Sequence, residues 1–308
     1  MRLVFVQGGS RIKRDQNDNL YIDGNLNDKI FQRYLNYCDE LTVFLREESK
    51  IYDECTAKQK FNAITKNPRI NFVTTPDLVV PKSRIFSLKI RNQIRSDLKK
   101  SIENADKVIV RSPGNFYTIN AAKIAKKLHK PLLVEVTGYI YDGYRYHGTK
   151  LGPIVARYYD KAAQRIIRDA DFVLYVTERF LQSHYPTNGK QLGCSDVEIP
   201  QLDPQVLTKR LQKIGKNNDV LTLGTIGFLH IRWKGQQDVI KAMKSLKEKG
   251  FKFKYQLVGI GDNSYLKNLA HELGLEKEVE FIGGLPHDEV IKWLKNIDIY
   301  IQPSYTEG

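Results

Sequence analysis

Short apolar runs alternate with stretches of helical spacing along almost the whole chain, and this alternation limits the fold more than any other feature. Leu3 to Val6, Leu41 to Leu45, Ile70 to Val73, Val108 to Val110, Leu132 to Val136 and Phe172 to Val176 read as buried strands. Between them Asp28 to Tyr37, Asn120 to Leu128 and Ile154 to Arg168 read as helices, the second with Ala121, Ala122, Ile124, Ala125 and Leu128 on one face. Strands with no polar alternation are buried on both faces, and helices between them supply the crossovers that parallel strands need. The expected class is α/β, with parallel sheets covered by helices on both sides.

The pattern runs twice. Cys194 to Gln205, with Pro200 and Pro204, reads as a connection, and Lys213 to Asp219 is basic and contains asparagines, so a hinge is expected near 200 to 220. After it come strand Leu221 to Phe228, helix Gln236 to Lys249, strand Phe253 to Val258, helix Tyr265 to Leu273, strand Val279 to Ile282, helix Asp288 to Leu294 and strand Ile297 to Ile301. A length of 308 residues suits two domains. They are drawn as residues 1–205 and 206–308, two Rossmann-like halves facing a cleft. The last apolar run stops at Pro303, which cannot donate to a sheet ladder, and gives way to Ser304-Tyr305-Thr306-Glu307-Gly308. A loop at the carboxyl end of a strand normally leads to a helix, so the second domain is expected to be incomplete and this chain alone inactive; a frayed natural end is the alternative.

Charge and cysteine content narrow the partners. The 49 Lys and Arg against 35 Asp and Glu give a net +14, which favours anionic partners. Basic runs are not interleaved with aromatics, and no finger or RNP pattern occurs, so nucleic acid is not expected. No apolar run approaches a membrane span, and Met1 to Val6 is too short for a signal peptide, so a cytoplasmic location is expected. Cys38, Cys55 and Cys194 are odd in number and far apart, which points to reduced, structural thiols. From Lys82 to Ile102, Phe86, Ile90, Ile94 and Leu98 form an apolar stripe flanked by Arg84, Arg91, Arg95, Lys99 and Lys100. It is either a helix packed on the sheet or a contact for an anionic membrane surface.

The candidate chemistry lies at the ends of strands. Gly8-Gly9-Ser10 follows the first strand, where glycines let backbone N–H groups approach a phosphate or simply make a turn; no GxGxxG dinucleotide fingerprint is present. Gly227 to Gly235 puts Arg232 and Lys234 in the loop before a helix, an anion clamp or a solvated basic loop. Val258-Gly259-Ile260-Gly261-Asp262 and Phe281-Ile282-Gly283-Gly284 repeat the strand-to-glycine turn, and three such turns at one sheet edge line a crevice that suits a nucleotide. Asp169-Ala170-Asp171 has DxD spacing at a helix-to-strand junction, and the six histidines form no HxH or HxxxH pair, so no metal site is expected.

Taken in order, Lys234-Gly235, Val258 to Asp262, Phe281 to Gly283 and Asp298 to Gly308 resemble the nucleotide-sugar-binding domain of the retaining glycosyltransferase family 4, which has the two-domain GT-B fold. The resemblance is strong over residues 220–308 and weaker in the first half, where Gly8-Gly9 and the connection near 200 carry it. It implies sugar transfer with retention from a nucleoside diphosphate sugar to a glycan or lipid-linked acceptor, without an obligatory metal or other cofactor. By the same resemblance Lys234 neutralises the donor diphosphate, Gly8 and Gly9 approach it from the other domain, and Glu307 holds donor-sugar hydroxyls. Arg232, Gly259, Gly261, Gly283 and Ser304 complete the expected donor site. Two departures stand out: Phe228 replaces the arginine usual after the strand glycine, leaving that charge to Arg232 or His230, and Thr137-Gly138-Tyr139 replaces the usual histidine, leaving the acceptor contact unassigned. An epimerase of the same fold and a non-catalytic sugar-nucleotide-binding module remain alternatives.

Overall fold

The computed structural model describes residues 1–23, 26–146, 151–197, 201, 203–214 and 220–306. These form two compact units, Met1–Asp196 and a second beginning at Val197.

The first unit contains β1 (Arg2–Asp15), β2 (Leu20–Ile22), α1 (Asp28–Leu35), β3 (Glu40–Tyr52), α2 (Glu54–Lys60), β4 (Asn62–Ala63), β5 (Ile70–Pro76), α3 (Leu88–Glu103), β6 (Lys107–Arg111), α4 (Phe116–Lys127), β7 (Leu132–Val136), α5 (Ile140–Arg145), α6 (Gly152–Arg168), β8 (Phe172–Tyr175), α7 (Phe180–His184) and β9 (Lys190–Gly193). Parallel pairing gives the order β5-β3-β1-β6-β7-β8-β9. The chain steps outward from β1 through β3 to β5, then returns to the other side of β1 at β6. This reversal makes a topological switch point between β1 and β6, where the strand ends leave a crevice.

The period of two along β1 explains its double burial. Val4 and Val6 join Val108 and Val110 against Ile94, Leu98 and Ile102 of α3, Ala121 and Ala125 of α4, and Ala163 and Ile167 of α6. Leu3 and Phe5 point the other way and pack with Leu41, Val43, Phe31 and Leu35.

Two expectations need correction here. Gly8 and Gly9 are not a turn after Val6, because β1 continues to Asp15 and they fall in a register shift against β3 between Val6 and Arg11. Beyond this bulge β1 is held by antiparallel β2, with Ile12 opposite Ile22, a pairing that polar-looking residues 7–14 did not announce. Phe86 does not share the stripe of α3: it ends a 3-10 turn, Lys82–Phe86, and Ser87 then caps α3 by accepting the Ile90 N–H at 3.3 Å. The buried stripe is Ile94, Leu98 and Ile102, whereas Phe86 is 85% exposed. Strand β9 is an exposed edge strand directly before the expected connection; residues 198–200 and 202 of that connection and 215–219 of the basic segment after it lie outside the described residues.

The second unit contains α8 (Gln205–Ile214), β10 (Leu221–Ile226), α9 (Gln236–Glu248), β11 (Phe253–Val258), α10 (Ser264–Glu272), β12 (Val279–Gly283), α11 (His287–Leu294) and β13 (Ile299–Tyr300). Its strands are parallel in the order β12-β11-β10-β13, so a second switch point lies between β10 and β13. Leu223, Tyr255 and Leu257 pack on Ile240 and Met243 of α9 and Leu266 of α10. On the opposite face Trp293 covers β10 so closely that a Cβ on Gly224 would lie 2.6 Å from its ring. Strand β13 is shorter than the apolar run, because Ile297 is already buried beside Trp293 and Asp298 turns back to accept the Thr222 N–H at 2.8 Å.

Candidate functional site

In the second unit the segment after β13 is fastened onto the loop after β10. The Tyr305 N–H donates to the Trp233 carbonyl at 2.9 Å, and its hydroxyl donates to Asp238 at 2.5 Å while accepting from Gln237 at 2.9 Å. The hydrogen bond to Asp238, with a smaller push from burial, raises the phenol above its ordinary range, so it stays a donor at neutral pH. Thr225 anchors the start of the segment by donating to the Ile301 carbonyl at 2.8 Å. Ser304 accepts from the Gln302 side chain at 2.9 Å.

Gly235 makes this closure possible. Its φ of 76° is left-handed, and a Cβ there would lie 2.0 Å from the Pro303 carbonyl oxygen. The same residue starts α9, whose first N–H groups carry partial positive charge. Lys234 immediately precedes it, its ammonium 4.6 Å from the Trp233 ring. Arg232 is exposed, its guanidinium 3.7 Å over Tyr265, with no carboxylate at ion-pair distance among the described residues. The sequence-distant Lys234-Gly235 and Pro303-Ser304-Tyr305 thus meet at the second switch point, where local positive charge collects.

The glycine turns stack side by side. The Gly227 N–H donates to Val258 and the Gly259 N–H to Gly283, at 2.9 and 2.8 Å. A Cβ on Gly259 would meet the Gly227 oxygen at 1.9 Å, and one on Gly261 the His230 ring at 2.1 Å. Gly259 therefore permits close packing on the neighbouring backbone and Gly261 on the His230 ring, while Gly283, with a φ of 87° and open space around it, serves only the turn. Glu307 lies outside the described residues.

The first unit holds a cavity of about 880 Å³ at the bulge of β1 and the carboxyl ends of β6 and β7, over the first switch point. Gly8 and Gly9 line it, with Ser112, Asn115, Thr137 and Tyr139. Gly8 is required because Asn115, which caps α4 through the Tyr117 and Thr118 N–H groups, would lie 2.1 Å from a Cβ. Ser112 and Thr137 hydroxyls meet at 2.5 Å, which places the unassigned Thr137-Gly138-Tyr139 in the same wall. Sequence reading missed Arg11 and Arg46. They are neighbours across β1 and β3 and converge on Asp77, which is 1% exposed, at 2.7 and 3.3 Å. Burial opposes ionisation of Asp77, but the Val79 N–H and the two guanidiniums outweigh it and hold the carboxyl below its ordinary range. Only register could have revealed this, since the three residues lie on separate strands or just past one.

The DxD pair is structural. Asp169 bonds Lys126 and Arg168, and Asp171 accepts the Leu132 N–H at 2.8 Å. No group of three potential metal ligands occurs among the described residues. The three cysteines are free thiols, Cys38 buried and the others exposed. Among the described residues no helix is long and apolar enough to cross a membrane.

Comparison with known proteins gives these features a family. The family described as Glycosyl transferases group 1 matches residues 207–308. Protein CapJ of Staphylococcus aureus is 31% identical over 313 aligned residues, covering 100% of this chain and 74% of CapJ. The putative colanic acid biosynthesis glycosyltransferase WcaL of Escherichia coli K12 is 28% identical over 156 residues, 42% of this chain and 38% of WcaL. Among solved structures, Anabaena Alr3699/HepE in complex with UDP aligns with a TM-score of 0.53 at 17% identity, covering 99% of this chain and 74% of that one. The likeness is one of fold: parallel α/β sheets in the two-domain GT-B arrangement.

Proposed function

Because this chain belongs to the glycosyl transferases group 1 family, we propose that it moves a hexosyl unit, with retention, from a nucleoside diphosphate sugar to a hydroxyl of a glycan or lipid-linked acceptor in building a surface polysaccharide. The observation that carries the reading is the closure of residues 302–305 over Lys234, Gly235 and the start of α9. The UDP bound by HepE and the polysaccharide role named for WcaL support the donor class and the setting. In the proposed step the acceptor oxygen bonds to the anomeric carbon, and the bond from that carbon to the diphosphate breaks with its electron pair on the leaving oxygen. The hydroxyl proton goes to the departing diphosphate. Lys234, Arg232 and the first N–H groups of α9 stabilise the charge that develops there, a role that requires no metal. Cytoplasmic location, and contact of Phe86 and Leu88 with an anionic membrane, belong to the same proposal.

The test is transfer from a panel of nucleoside diphosphate sugars, with the panel first narrowed by thermal stabilisation. A donor at 100 times its dissociation constant adds about 2.7 kcal/mol. Lys234→Ala is expected to lower kcat/KM about 100-fold, while added EDTA leaves the rate unchanged. Undiminished turnover in Lys234→Ala overturns the role given to that residue.

A further inference from the structure

We infer that the cavity of the first unit binds an acceptor sugar carrying a negative charge, a carboxylate or a phosphate; the inference rests on the transferase reading above. Arg11, Arg46 and Arg91 all line it, and no Asp or Glu does among the described residues. Asp77 lies behind Arg11 and Arg46 and serves both, and Asp23, 4.0 Å from Arg11, is shared with Lys13, which Glu48 also pairs, so these carboxylates balance the cluster from outside the cavity and leave Arg91 as its surplus charge. Arg46 Nε is buried with no hydrogen-bond partner among the described residues. Arg91 has no carboxylate partner there; its Nε donates to the Ile85 carbonyl at 2.7 Å and its guanidinium lies 5.1 Å over Phe116. The charge of Arg91 in this partly enclosed space is left uncompensated by a neutral ligand and forms charge-assisted hydrogen bonds with an anionic one.

The rest of the wall suits a sugar ring. Tyr144 stacks on Tyr159 with centroids 4.9 Å apart and planes inclined by 17°, and Tyr139 and Phe116 add further aromatic surface. Aromatic faces pack against the C–H faces of pyranoses, while Ser112 and Thr137 supply hydroxyls at the strand ends. Burial holds the Tyr144 phenol in its neutral form, and its O–H donates to the Gly114 carbonyl at 2.7 Å, which fixes the stack. An aromatic platform beside Arg91, which has no carboxylate partner among the described residues, is thus set for a ring with an anionic substituent.

Calorimetric titration of the whole chain, with no donor present, tests this with a glucuronate-terminated disaccharide, the glucose-terminated disaccharide of the same linkage, and glucose 1-phosphate. An anionic probe is expected to bind about 10-fold or more tightly than the neutral one, with the advantage shrinking as salt rises. Whichever anionic probe binds more tightly identifies the source of the charge. Arg91→Gln should remove most of the preference and Arg91→Lys retain part of it, both melting like the parent. Equal affinity for charged and neutral disaccharides, or no binding of any probe, overturns the inference without touching the donor site. Binding of the anionic probe by a chain that fails to bind any nucleoside diphosphate would instead count against the transferase reading.

Discussion

Gly235 and Asp77 show how much one residue can hold in place. A methyl group on Gly235 meets both a left-handed φ and the Pro303 carbonyl, so Gly235→Ala must move the 302–305 segment or the start of α9. The expected result is a loss of about 2 kcal/mol in urea unfolding together with a weaker affinity for nucleoside diphosphates. Asp77 is a case of charge, not space. Its carboxyl is depressed in the folded state, so its stabilisation is present above the unfolded value near pH 4 and is lost as pH falls through the folded value. Asp77→Asn is therefore expected to cost about 3 kcal/mol at pH 7, and the gap to the parent should narrow below about pH 4. A gap independent of pH would show that packing, not charge, sets the cost.

At the scale of elements, α3 and the turn before it separate two roles that one amphipathic stripe had merged. Ile94 is fully buried against the sheet, and Ile94→Ala is expected to cost about 3 kcal/mol. Phe86 and Leu88 are 85% and 73% exposed with Lys82 and Lys89 exposed beside them, so Phe86→Ala with Leu88→Ala should leave the melting temperature unchanged. The double variant should instead sediment less with vesicles containing anionic phospholipid; unchanged sedimentation removes the membrane role. The helix was legible because its apolar spacing is long and regular. Its start was not, because Ser87 caps it through a local hydrogen bond that spacing does not encode.

For the whole molecule, each unit has its own buried clusters, so unfolding is expected in two steps. Nucleoside diphosphate should raise the transition of the second unit and leave that of the first in place, and Leu257→Ala should lower only the former. Calorimetry reads both directly; a single transition moved by either change would show that the units unfold as one.

The chain by itself determined the class of fold, because burial on both faces of a parallel sheet demands unbroken apolar runs, and crossovers demand helices between them. It also marked where the backbone of the second unit turns through conformations that favour glycine, since Gly235, Gly259, Gly261 and Gly283 all have positive φ. What only the tertiary structure decided is which distant residues share a place. Pro303 comes to rest on Gly235, Asn115 on Gly8, and Arg11 and Arg46 on Asp77. The physical reason is register: parallel neighbours are joined by crossovers of many residues, so what stands beside a strand end is fixed by sheet order and not by local spacing.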